Sequence, residues 1–275
     1  MPNDPPWVPR TVPWMVYVAG LAVIAVVVPG HVWAYGPLKL VQTVLVCSLV
    51  FRWRRQVPEL SLRFHWSVVP LSVVLVVTWV VLHSITAVGI SFFGGEVLGG
   101  EASELAASTI WERLEQDRSW LFWSAAVAHL LAMCLAVPLI EEVFHRSLLL
   151  RGLHDFRSAA TAACQLVVDL PLVGDLVART GPGRRAIDAP PALTERFERT
   201  ELGQLSGFGV AASTAIFMLA HQPADWLGAI LCGVTWCLLL NRTRRLGLGP
   251  VIWSHALVNL MLWGYVMVTG DWRFL

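Results

Sequence analysis

The sequence predicts an all-α, polytopic membrane bundle of seven to eight transmembrane helices, folded as one membrane domain over residues 1–275. Three observations carry that expectation. Hydrophobic residues make up 56% of the chain and charged residues only 14%, with a mean hydropathy of +0.63. A usual soluble domain carries about 25% charged residues. The apolar residues come in long blocks, which is the pattern of membrane spans. Nineteen of the twenty basic side chains are arginines, and they cluster between the blocks. A formal net charge of +1 gives no sign of a nucleic-acid surface, so no nucleic acid is expected as a partner.

The elements follow in order. The Pro-rich start MPNDPPWVPRTVPW lacks a basic n-region and is followed by several apolar runs, so the first run reads as an uncleaved span. Spans are expected at 14–34, 37–51, 67–93, 119–150, 206–221, 224–240 and 249–269. The second is short, and Gly36-Pro37 at its start reads as a tight turn from the first. Residues 160–177 are apolar but broken by Asp169, Pro171 and Asp175, and read equally as an eighth span or as an interfacial or re-entrant piece. Residues 178–204 are charged and rich in Pro and Gly, the composition of a solvated loop, with a short amphipathic helix over ALTERFERTEL. Neither an internal repeat nor a separate soluble domain is visible. The fourteen Trp fit anchoring at the lipid interface, with several in the interior. The five cysteines lie in apolar stretches without a CxxC pair and read as small buried hydrophobes.

Arginine placement sets an orientation. RWRR at 52–55, the 151–199 segment and RTRR at 242–245 are basic, whereas 94–118 carries six acids against two arginines. Seven spans and a cytoplasmic N-terminus put all three basic segments inside and the acidic loop outside. An eighth span at 160–177 would break that agreement for RTRR.

Ionisable residues within spans usually face the protein interior and mark a functional site. Three groups stand out: Glu141, Glu142, His145 and Arg146; Phe217 with His221; and Ser254, His255 and Asn259. His31, His83 and His129 read as packed, hydrogen-bonded residues. Residues four apart share a helix face, so Glu142 and Arg146 pair as a brace. Glu141 and His145 form a second stripe about 100° round the helix. Glu141 has no cation of its own, and a desolvated carboxylate of that kind suits a general base or acid. His255 and Asn259 share a face, and His221 ends its run just before Pro223. At ~1.5 Å per residue Glu141 lies about 15 Å from Arg151, His221 about 21 Å from Gly207 and Asn259 about 15 Å from Gly249. A hydrocarbon core of about 30 Å permits one cluster, with His221 the poorest fit.

EExxxR (Glu141, Glu142, Arg146), FxxxH (Phe217, His221) and HxxxN (His255, Asn259), in that order on separate spans, resemble the CPBP intramembrane proteases, relatives of the type II CAAX prenyl endopeptidases. The motif-bearing core is 119–269. YGPLKLVQTVLVCSLVFRWRRQVPEL, HDF, NRTRRLG and TGDWRF are similar to a bacterial subgroup, the CAAX-protease-related membrane proteins associated with exosortase and PEP-CTERM sorting. The likeness is then nearly full length, with the 178–204 insert as the main departure. It implies an eight-helix protein of the bacterial inner (cytoplasmic) membrane whose site opens toward the cytoplasm or the membrane core. It also implies hydrolysis of a membrane-anchored protein or peptide by water that Glu141 activates with His221. His255 and Asn259 would hold the oxyanion, and Glu142, Arg146 and Phe217 would support the site. Expected partners are the lipid bilayer, the substrate and exosortase/PEP-CTERM components.

Two versions of the chemistry stay open, one metal-free and glutamate-dependent, the other using Zn²⁺ held by Glu141, His221 and His255. HExxH, GxSG and GxGD are absent, which argues against other intramembrane protease classes. Glu142-x-x-His145 is a single ExxH where a di-iron site needs two. A transporter with a midplane proton relay would show inverted repeats, and none is visible. The serious rival is a catalytically silent relative that uses the same pocket as a binding, scaffold or immunity-type protein.

Overall fold

The computed structural model describes residues 4–92, 110–114, 120–171 and 173–274, and these form an all-helical bundle. The acidic loop expected at 94–118 lies outside the described residues apart from 110–114. Among those described, six helices are long and apolar enough to cross a membrane, and one shorter apolar helix joins them. The long ones are α1 (Val8–Val27), α2 (Tyr35–Trp53), α3 (Val68–Phe92), α4 (Trp120–Gly152), α10 (Trp226–Thr243) and α11 (Gly249–Thr269). Between α4 and α10 lie α5 (Phe156–Val168), α6 (Val173–Ala178), α7 (Gly181–Asp188), α8 (Ala192–Arg199) and the short apolar α9 (Gly207–Leu219).

Several boundaries differ from the hydropathy reading. α1 starts and ends earlier than 14–34, because Pro9 suits the first helical turn and Pro29 cannot continue the helix. The turn falls there, so Gly36-Pro37 is not the turn but sits in the first turn of α2, where a proline leaves no donor missing. Gly36 instead lets α4 approach: a Cβ on it would lie 3.2 Å from the Ala125 main-chain nitrogen. Small residues on α4 (Ala125, Ala126, Ala128, Ala132) are buried along this contact, as close membrane packing requires.

Among the described residues, 160–177 hold no helix long and apolar enough to cross a membrane. Their helix ends at Val168, ahead of Asp169 and Pro171, and α5 at 13 residues is only about 20 Å long. The insert at 178–204 is folded, not merely solvated. It contains the expected amphipathic helix as α8 and a further helix, α7, that hydropathy did not reveal. Phe197 of α8 is buried between two guanidiniums, Arg10 at 4.6 Å and Arg151 at 3.8 Å from its ring. Beyond it Gly203 has φ 73°, a left-handed conformation open to glycine, and its carbonyl accepts from Asn241 Nδ2 at 2.8 Å.

These contacts gather the basic segments at one face. Glu59, in the α2–α3 connection, pairs with Arg10 at 2.7 Å and Arg151 at 3.6 Å, and its carbonyl accepts from Leu248 N at 3.0 Å. Trp253 Nε1 donates to Leu62 O at 2.9 Å. The ends of α2, α4 and α10 therefore lie together, as a return of the chain by α9 demands.

Candidate active site

Proline and a wide helical turn shape α4 where it carries the glutamates. Two π-helical stretches, Ala132–Ala136 and Glu142–Leu149, flank the α-helical turn Val137–Glu141. A proline has no N–H, and its ring crowds the carbonyl one turn back. The wider turn before Pro138 relieves that crowding. Val137 N–H bonds Ala132 O in this register, so the next donor, for Met133 O, would be the N–H that Pro138 lacks. Asn259 of α11 fills the place, its Nδ2 donating to Met133 O at 2.8 Å. Such π-bulges recur at functional sites.

One turn on, Glu142 and Arg146 are both fully buried, with Oε2 3.2 Å from Nε. The guanidinium sits over the rings of Phe217 at 4.7 Å and Trp236 at 5.3 Å. This is the brace expected from the spacing, and it does something the spacing did not reveal. The other oxygen of Glu142 accepts from His255 Nδ1 at 2.8 Å. That bond assigns the His255 proton to Nδ1 and leaves Nε2 turned to Glu141, 3.9 Å from Oε2. The distance is too long for a direct hydrogen bond. Trp236 stacks on the His255 ring at 4.4 Å and fixes its plane.

His221 follows α9 at a turn. Its Nδ1 donates to Phe217 O at 2.8 Å, which leaves Nε2 without a hydrogen-bond partner among the described residues. Glu141, His221, His255 and Asn259 all line one cavity of about 170 Å³, with Phe217 and Trp236 in its wall. His221, the poorest fit by depth, reaches it because α9 has only 13 residues and the chain reverses before crossing. Glu141 Oε2 is buried with no hydrogen-bond partner. A buried carboxylate oxygen in that state calls for a partner such as water.

Four polar or aromatic residues of this wall, Trp79, Asp225, Trp236 and Phe274, escaped the sequence reading. Asp225 accepts from Trp79 Nε1 at 3.0 Å and His83 Nδ1 at 2.8 Å, and the Trp79 ring meets His221 at 5.6 Å. An acid within the span expected at 224–240 was the available signal for Asp225. His83 is packed and bonded as expected, and His129 is buried against Tyr35. His31 instead is exposed. Phe274, near the C-terminal end, also lines the cavity and packs on His83 at 4.3 Å. His145 is buried between Phe144 and Phe217, and neither ring nitrogen has a hydrogen-bond partner. Ser254 is structural: its hydroxyl accepts from Trp236 Nε1 at 3.1 Å and meets Ser72, joining α3, α10 and α11.

Among the described residues, no group of three or more His, Cys, Asp or Glu side chains is arranged to hold a metal ion. Glu141, His221 and His255 share a cavity wall without forming the Zn²⁺ ligand set considered from sequence. The five cysteines are free thiols, with Cys232 and Cys237 buried and the others half-buried.

Fold and site together define an integral membrane protein with an acid–base cluster enclosed among its spans. Residues 190–261 match the family model described as Type II CAAX prenyl endopeptidase Rce1-like, so this segment is similar to that family. The match takes in Phe217, His221, His255 and Asn259 and leaves Glu141, Glu142 and Arg146 outside it. No curated protein and no solved structure matches the chain.

Proposed function

We propose that the protein is an intramembrane endopeptidase that hydrolyses a peptide bond in a membrane-associated protein. The observation that carries this reading is the unpartnered Glu141 oxygen in a cavity shared with both histidines and Asn259. A water in the gap between Glu141 and His255 attacks the substrate carbonyl carbon as Glu141, assisted by His221 Nε2, takes its proton. The tetrahedral oxyanion accepts hydrogen bonds from the second N–H of Asn259 and from Nε2–H of a protonated His255. Donors aimed at that oxygen lower the barrier. With Glu141 and Glu142 ionised, their two negative charges match the two positive charges of Arg146 and the protonated His255, so this group of four is neutral overall before the proton transfer. Glu141 then passes the proton to the leaving amine as the C–N bond breaks. A membrane protein of an exosortase/PEP-CTERM sorting system belongs to this proposal as the substrate suggested by the flanking motifs.

Purified wild type, Glu141→Ala and His221→Ala, each with and without chelator, test the reading on membrane-anchored peptides. The expected result is cleavage by wild type that survives chelator and is lost in both variants. Equal activity in all three proteins would sink it. The silent, partner-binding alternative draws on one observation, the cavity's small size beside the ~300–1,000 Å³ of ordinary ligand pockets. It expects no cleavage by wild type and retained partner binding in Glu141→Ala.

A further inference from the structure

A larger depression lies away from the glutamates. Helices α5, α7 and α8 enclose a groove of about 650 Å³ beside the end of α4, on the side of the molecule that carries the basic segments. Four arginines line it, Arg157, Arg185, Arg196 and Arg199, against one acid, Glu195. Arg196 pairs with Asp155 at 2.9 Å and Arg199 with Glu195 at 2.6 Å. Arg157 and Arg185 make no ion pair among the described residues and stand open to solvent. The groove is braced by Gln165, whose amide nitrogen reaches Ala186 O, Ala189 O and Pro190 O at 3.0 to 3.2 Å while its oxygen accepts from Ala192 N at 3.0 Å.

The helices around the groove are apolar where nothing of the chain covers them. α5 buries none of its side chains, and Phe156, Leu166 and Leu176 are 70%, 69% and 66% exposed. α5 and α6 are too short to cross a bilayer, so they are not spans. Apolar side chains beside guanidiniums on short helices at the end of a membrane bundle are the make-up of an element lying in the headgroup layer. A guanidinium offers a planar fork of donors that matches phosphate oxygens.

We propose that α5–α8 lie in the membrane interface and that this groove binds the phosphate of an anionic phospholipid headgroup, with Arg157 and Arg185 as the principal donors. The apolar residues of α5 and α6 hold the acyl chains of the same lipid. The proposal is independent of whether the intramembrane cavity is catalytic.

The experiment measures lipid retention by the full chain, purified in detergent and supplied with equal phosphatidylglycerol and phosphatidylcholine, by native mass spectrometry. Wild type should retain phosphatidylglycerol in preference, and the double variant Arg157→Gln/Arg185→Gln should lose about tenfold of that preference. Both arginines are exposed, so thermal stability should not change. Arg157→Lys/Arg185→Lys, which keeps the charge but lacks the planar fork, should retain a preference between those of wild type and the Gln variant. Millimolar inorganic phosphate should fail to displace the lipid, because it brings no acyl chain. An unchanged preference in the Gln variant, or displacement by phosphate alone, overturns the proposal.

Discussion

Glu141 and Glu142 are neighbours in sequence with opposite surroundings. Glu142 is fully buried, bonded to His255 and paired with Arg146, whereas Glu141 Oε2 has no hydrogen-bond partner and borders the cavity. Removing one partner of a buried ion pair leaves the other charge uncompensated, at a cost of about 3–5 kcal/mol. Glu142→Gln should therefore lower the thermal midpoint sharply in detergent. Glu141→Gln should leave the midpoint near wild type while abolishing peptide cleavage, because only the proton acceptor is gone. Matched stability losses in the two variants would contradict this division of roles. The division was half legible in the sequence. Spacing four residues apart announced the Glu142–Arg146 pair, since helical geometry alone brings them together. The bond to His255 joins residues 113 apart in the chain, and no local pattern encodes it. Asp225 carried a local signal as an acid within the span expected at 224–240, but its bonds to Trp79 and His83, 146 and 142 residues away, carried none.

Helices were readable where hydropathy alone decides them and unreadable where hydrogen-bond register decides. Long apolar runs specified α3, α4, α10 and α11 closely, because a span must bury all its backbone polar groups within itself. The π-helical stretches of α4 could not be read this way, since widening by one residue changes which carbonyl lacks a donor without changing composition. Pro138 was their visible trace. The Asn259 bond to Met133 O couples α11 to Pro138 of α4. Asn259→Ala orphans that carbonyl, which should cost about 1–3 kcal/mol. Pro138→Ala restores a main-chain N–H in the same place, so Asn259→Ala should be milder in that background. A double-mutant cycle by thermal unfolding reads the difference directly, and strict additivity of the two substitutions would refute the assignment.

For the whole molecule, the arrangement of charge was the most informative pattern in the sequence. Three basic segments were expected on one side, and the structure joins them through Glu59, Asn241 and Trp253. What composition did not announce is that an acid holds that basic face together. Glu59 meets Arg10 at 2.7 Å, Arg151 at 3.6 Å and the hydroxyl of Ser147, and both arginines cover Phe197 of α8. One carboxylate thus links the start of α1, the α2–α3 connection, the end of α4 and the folded insert. Glu59→Ala leaves Arg10 buried without an anion, a loss of about 3–5 kcal/mol. The damage should concentrate where the insert docks. Trypsin should cut within 178–204 faster in Glu59→Ala than in wild type, while cleavage at RWRR (residues 52–55) changes less. Phe197→Ala, which removes the surface the two arginines cover but leaves their ion pairs, should also speed cleavage of the insert, with a smaller drop in thermal midpoint. If the insert resists trypsin equally in all three proteins, it is held to the bundle by something other than this cluster.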